Sequence, residues 1–210
     1  MKNILIFLFA LSFSAVKAQD NAQHISKLEL GKKEKKVFSA TRDSSAVIYI
    51  DTLIMKDRSS LQFYGKKDVK LVVKYAELGN RVFINGIGRQ NNASDFDIDM
   101  NIQKLGSLYV IAKGQDAFNG TRTNPNGDGG DVNFTYSANG IAPQTTDKKG
   151  KNYLYIDIQP GGLRVNPTSE VQQIYSMVRM APAGLRGVPQ GQIYSGSPGM
   201  EGKAKIESKE

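Results

Sequence analysis

The sequence predicts an all-β protein, either a β-solenoid of the β-helix kind or a β-sandwich, followed by one short C-terminal helix and an extended Gly/Pro-rich tail. Three observations carry this. From Ala46 onward, polar and apolar residues alternate with a period of two in short runs rich in β-branched and aromatic side chains, the mark of strands with one buried face. Turn signals separate the runs, among them four Asn-Gly pairs at Asn85-Gly86, Asn119-Gly120, Asn126-Gly127 and Asn139-Gly140. Only one segment, near 167–178, has the spacing of an amphipathic helix.

The predicted strands are Ala46 to Met55, Ser60 to Tyr64, Val69 to Ala76, Arg81 to Ile87, Phe96 to Ile102, Leu108 to Lys113, Val132 to Tyr136 and Tyr153 to Gln159. Strand starts recur at intervals that serve a sandwich or a solenoid. Small and polar residues punctuate every run, and Val69, Leu71, Val72, Val73 and Tyr75 crowd together, which favours the solenoid although no clean numerical repeat is visible. For the helix, Asn166 can cap, Pro167 suits the first turn, and Val171, Ile174, Tyr175 and Val178 share one face. From 181 the chain turns Gly- and Pro-rich, and Gly196 to Gly202 falls into a collagen-like phase for two triplets, too short for a triple helix.

The N-terminus predicts export. Met1-Lys2-Asn3 precedes an apolar run from Ile4 to Ala15, and Val16-Lys17-Ala18 makes a small-residue cleavage site before Gln19. The run falls short of the roughly 20 residues that span a bilayer, so residues 1–18 read as a cleaved signal peptide and not as a membrane span. No later stretch is long and apolar enough to cross, and no Cys follows to take a lipid. Removing 18 of the 210 residues leaves 192, divided into a basic flexible arm at 19–45, a β-rich domain at 46–180 and the tail at 181–210. The expected location is periplasmic or extracellular, peripheral to the outer membrane.

Composition narrows the chemistry. The chain has no Cys and one His, His24, in a polar stretch, which leaves almost no material for a Ser-His-Asp triad, a Cys-His pair or a zinc centre. No enzyme and no cofactor is expected. The net charge is +8; the signal holds Lys2 and Lys17 and no acid, so its loss takes this to +6, concentrated in Lys32-Lys33-Glu34-Lys35-Lys36. Such a surplus suits an anionic partner or a plain solvated arm. Nucleic acid is not an expected partner, because no recognition motif is present.

Two acidic constellations remain. Asp95, Asp97 and Asp99 alternate with Phe96, Ile98 and Met100, which puts three carboxylates on one face of a strand. They could serve a carbohydrate-active or carbohydrate-binding β-helix, or be merely solvated. Asn124, Asn126, Asp128 and Asp131 space oxygens like the start of a calcium loop, but Thr135 stands where a bidentate Glu belongs, and a tight glycine turn explains the same residues. For partner binding the candidates are Tyr153 and Tyr155, sharing a face with Asp157, and Leu185, Val188, Ile193 and Tyr194, too apolar for a simple linker.

The block Leu105 to Val110, then Asn119-Gly120 and Gly127-Asp128-Gly129-Gly130-Asp131-Val132 leading into a strand, resembles the glycine-rich, collagen-like exported proteins of Bacteroidota, as does the signal ending Ala18-Gln19. Within that group the chain is similar to the plug subunits that close the periplasmic side of the type IX secretion translocon. The resemblance, over about residues 46 to 160, implies a protein that works by shape within an envelope protein complex such as an outer-membrane translocon. Asp51-Thr52-Leu53 likewise resembles the O-glycosylation acceptor of that phylum, and plain strand is its alternative. A surface adhesin is a further reading. N-terminal sequencing of the folded protein should return Gln19; an intact Met1 would end the export reading.

Overall fold

The computed structural model describes residues 22–39, 44–117, 124–163 and 198–210. Its strands are β1 (Ala22–Leu30), β2 (Lys35–Ser39), β3 (Ser45–Met55), β4 (Ser60–Tyr64), β5 (Asp68–Leu78), β6 (Val82–Ile87), β7 (Asp95–Leu105), β8 (Ser107–Ile111), β9 (Val132–Ser137), β10 (Tyr153–Asp157) and β11 (Ala204–Lys209). Odd-numbered strands form one sheet in the order β1-β3-β5-β7-β9-β11, called sheet A. Even-numbered strands form sheet B, in the order β10-β8-β6-β4-β2. Neighbouring strands within each sheet are parallel. The chain therefore winds, laying one strand on sheet A and the next on sheet B in each coil. This is a β-solenoid, and the sandwich alternative is set aside by the parallel pairing, since a sandwich is built of antiparallel strands.

Parallel stacking in register puts like over like. On sheet A the inward columns run Ala46, Val69, Phe96, Val132 and Ile48, Leu71, Ile98, Phe134. On sheet B they include Leu61, Ile84, Val110, Ile156. Ile48, Leu71, Ile98, Phe134, Leu61, Ile84 and Val110 are all buried, so the core is one continuous apolar column between the sheets. In β3 both Ile50 and Leu53 point inward, because Asp51 and Thr52 break the alternation midway. β5 shows the same slip between Val73 and Ala76, which turns Tyr75 outward while Val69, Leu71 and Val73 stay in the core.

The corners that lead from sheet A to sheet B repeat, and in three of them a glycine, Gly31, Gly79 or Gly106, follows the buried Leu that ends the sheet A strand. Lys33, Arg58 and Arg81 take left-handed φ values of 64°, 62° and 58° at matching places in three successive coils. Lys33 N–H donates to Asp57 O at 3.0 Å and Arg58 N–H to Asn80 O at 2.9 Å, so each corner is hydrogen-bonded to the next. Holding an L-residue there costs roughly 1 kcal/mol, which the stacked hydrogen bonds offset.

Several expectations are corrected. The segment 19–45 is not a flexible arm over its described part: β1 and β2 form the first coil, with Leu30 and Phe38 buried. Its lysines stay exposed while Ile25, Leu28, Leu30 and Phe38 turn toward the core, which is how a basic stretch also folds. Glu29 ties this coil to the second, bridging Lys27 and Lys56 at 3.2 Å each. The hydrogen bond from Lys27, then that from Lys56, holds the Glu29 carboxyl below its ordinary range. The tie is thus complete above the usual carboxylate range and is lost as pH falls through the depressed value.

At the other end, residues 198–210 are not an extended tail, for Ala204–Lys209 pairs with β9. The expected helix near 167–178, residues 181–197 of the tail and Asn119-Gly120 lie outside the described residues. Asn85-Gly86 is no turn but lies inside β6. There a Cβ on Gly86 would sit 2.5 Å from Ser94 Cβ and 2.6 Å from the Phe96 ring, so the glycine makes room for Phe96, which also meets Phe63 edge-on at 5.7 Å. Gly86→Ala should therefore lower stability by about 1 to 3 kcal/mol, read as a fall in melting temperature with the circular dichroism spectrum retained.

Candidate partner-binding face

The outward faces of the two sheets differ in kind. Sheet A carries charge. Asp97 lies 3.6 Å from Lys70, Asp99 lies 2.6 Å from Lys209, and Asp51 lies 2.7 Å from Lys74. Asp95 Oδ1 accepts the Asp131 N–H at 2.8 Å. The three alternating carboxylates of β7 are therefore each engaged separately, and none shares its oxygens with another.

The acidic glycine segment has a structural task. Asp131 N–H donates to Asp95 Oδ1, and Asp131 Oδ1 accepts the Lys203 N–H at 2.7 Å. In parallel, Asp128 N–H donates to Asn92 Oδ1 at 2.9 Å and Asp128 Oδ1 accepts the Met200 N–H at 2.7 Å. Asn91 to Asp95, Gly127 to Asp131 and Gly199 to Lys203 are thus the same corner in three successive coils. Their glycines are needed because the backbones touch: a Cβ on Gly127 would strike Asn91 O, and one on Gly199 would strike Gly127 O.

Of the other calcium candidates, Asn126 is buried and its Oδ1 accepts the Ala117 N–H at 2.7 Å, while the Asn124 carbonyl faces Asn91 Nδ2 at 3.4 Å. These oxygens serve backbone and side-chain amides instead of converging on one point. Among the described residues no group of three or more His, Cys, Asp or Glu could hold a metal ion.

Sheet B presents a different surface. In register across it run Ser60, Phe83, Tyr109 and Tyr155, and beside them Val37, Gln62, Asn85, Ile111 and Asp157. Tyr109 joins the aromatics, stacking on Phe83 at 5.2 Å and meeting Tyr153 at 5.8 Å and Tyr155 at 5.9 Å. Tyr153 is buried, whereas Tyr155, Tyr64 and Val37 remain 38%, 40% and 47% exposed. Burial, then the nearby Asp157, raises the Tyr155 hydroxyl above its ordinary value, so it stays a neutral donor. Among the described residues, charge on this face sits at its margins, at Lys35, Asp157 and Lys113, the last reaching Gln159 at 3.4 Å.

Tyr153 and Tyr155 thus occupy one face as the alternation predicts. Phe83 and Tyr109 join them from other coils, where only the register could reveal it. Leu185, Val188, Ile193 and Tyr194 lie outside the described residues. No helix among the described residues is long and apolar enough to cross a membrane. No family model matches the chain, and neither a curated protein nor a solved structure is similar to it. The fold and the faces define a parallel β-solenoid whose sheet A side is mainly charged, with Tyr49 and Tyr75 among the charges, and whose sheet B side carries an aromatic ladder drawn from three coils.

The corner ladder yields a test. Asp131→Ala leaves the Lys203 amide without its acceptor and should cost about 1 kcal/mol, with hydrogen exchange of β11 accelerated. Asp131→Asn keeps an oxygen and should stay near wild type. Asp97→Asn, at an exposed ion pair, should change stability by no more than a few tenths of a kcal/mol.

Proposed function

We propose that the chain is an exported, non-enzymatic subunit of a cell-envelope assembly, peripheral to the outer membrane, that binds its partner through the outward face of sheet B. A plug for a secretion translocon of the type IX kind is the form of that role the sequence resemblance suggests. One observation carries the reading: the Phe83, Tyr109, Tyr155 ladder with its charge-poor surround. Aromatic side chains bring large apolar area at low entropic cost, and a face held rigid by five strands pays little to order on binding.

The geometry favours a protein over a sugar as the ligand of this face. Phe83 and Tyr109 lie 27° from parallel and 5.2 Å apart, so they cover one another and present edges outward. A carbohydrate stacks on an open ring face; a protein surface accepts edges and the Tyr155 hydroxyl equally well.

The test is recovery of the partner from solubilised envelopes with tagged wild type, Tyr109→Ser and Tyr155→Ser. Loss of about 2 kcal/mol at either residue would weaken binding some 30-fold and empty the pull-down of its specific band. Undiminished capture by both variants would remove sheet B from the contact. Polysaccharide cleavage abolished by Asp97→Asn would replace this reading with the carbohydrate-active one.

A further inference from the structure

A solenoid whose sheets do not close on themselves ends in strands with one free edge, and a free edge is a template for another strand. Among the described residues nothing pairs with the outer side of β1 or β2. Leu30 O accepts the Lys56 N–H, and Glu34 O accepts the Ser60 N–H. Since successive residues of a strand send their backbone groups to opposite sides, the N–H and C=O of Glu29, Lys35 and Val37 face away from the solenoid.

The two ends of the molecule are not alike. At the C-terminal end, Gln144 bridges to Tyr153 and covers part of β10. The cations of β11 are matched: Lys205 pairs with Glu207 at 2.8 Å and Lys209 with Asp99. At the N-terminal end, cleavage after Ala18 leaves only residues 19–21 ahead of β1, too few to turn back and lie along a nine-residue strand. The first coil carries Lys32, Lys33, Lys35 and Lys36, none of them in an ion pair among the described residues; Glu34 within the run accepts the Gly31 N–H at 2.6 Å, and Lys36 Nζ sits 5.8 Å above the Phe38 ring.

We infer that this end is a strand-accepting site, which takes an extended acidic segment of a partner protein as an added strand beside β1 or β2. The lysines select the occupant. They repel a second copy of the same basic edge and attract a strand carrying Asp or Glu, so they guard against self-pairing and choose the partner at once. The open backbone selects a polypeptide, because an anionic lipid or glycan would satisfy the charges and leave the outward N–H and C=O groups unpaired. The inference rests on the export reading only for the position of the mature N-terminus. Of the sheet B face it uses only the marginal strand β2, at Lys35 and Val37, and not the Phe83, Tyr109, Tyr155 ladder.

The experiment uses the mature chain from Gln19 and, as probe, a blocked seven-residue peptide alternating glutamate with valine. Controls are the same peptide N-methylated at alternate amides, its lysine-valine counterpart, and phosphatidylglycerol vesicles. Binding of the acidic peptide should be at least tenfold tighter than that of any control, should slow hydrogen exchange at Glu29 or at Lys35 and Val37, and should weaken at least tenfold when Lys32, Lys33, Lys35 and Lys36 are all changed to Gln. Tyr155→Ser should leave it unchanged, which separates this site from the sheet B reading. The inference is overturned by equal binding of the N-methylated peptide or the vesicles, by protection at β11 instead, by dimers joined through this end, or by no binding at millimolar peptide. An intact Met1 on the folded protein would instead remove its premise.

Discussion

In-register parallel stacking governs this structure. Each coil sits on the one before with strand backbones paired in parallel, so each paired position must tolerate its counterpart one coil away. In the core this is satisfied by apolar columns such as Ile48, Leu71, Ile98 and Phe134. At the corners it is satisfied by an acceptor in one coil for an amide in the next, as Asp95 serves Asp131 and Asp131 serves Lys203. The chain has no Cys, so these pairings and the core stand in place of any disulfide.

The same constraint builds the candidate binding face. Stacking brings Phe83, Tyr109 and Tyr155 from three coils into one row and makes them a single rigid ladder. It also creates the two ends, since a stack that stops leaves unpaired strands. The charged face of sheet A, the aromatic face of sheet B and the basic first coil are three surfaces of one winding, each with its own chemistry.

Much of the sheet was legible in the sequence. Strands β3 to β10 follow from period-two runs such as Ser60 to Tyr64, and Tyr153 and Tyr155 fall on one face by the same rule. What was not legible depends on relations between coils. The offset from Asn80 to its partner Asp57 is 23 residues, from Asp131 to Asp95 it is 36, and from Lys203 to Asp131 it is 72, so the repeat cannot be seen as a fixed period. β1 escaped because Ile25, Leu28 and Leu30 change phase, and β2 because a run of lysines leads directly into Val37 and Phe38. β11 escaped because Gly199 and Gly202 resemble a collagen spacing, whereas their lack of a side chain lets them pass Gly127 O and Gly130 O. The row of Phe83, Tyr109 and Tyr155 was hidden for the same reason: register is not written in any one strand.

The central claim is that the aromatic side of the solenoid, and not its charged side, meets the partner. Photo-crosslinking in intact envelopes tests it most directly, with a photoreactive phenylalanine analogue placed at Tyr155 on sheet B or at Asp97 on sheet A. The account predicts a discrete crosslinked species from position 155 and none from position 97. A crosslink from position 97 with none from 155 would contradict it.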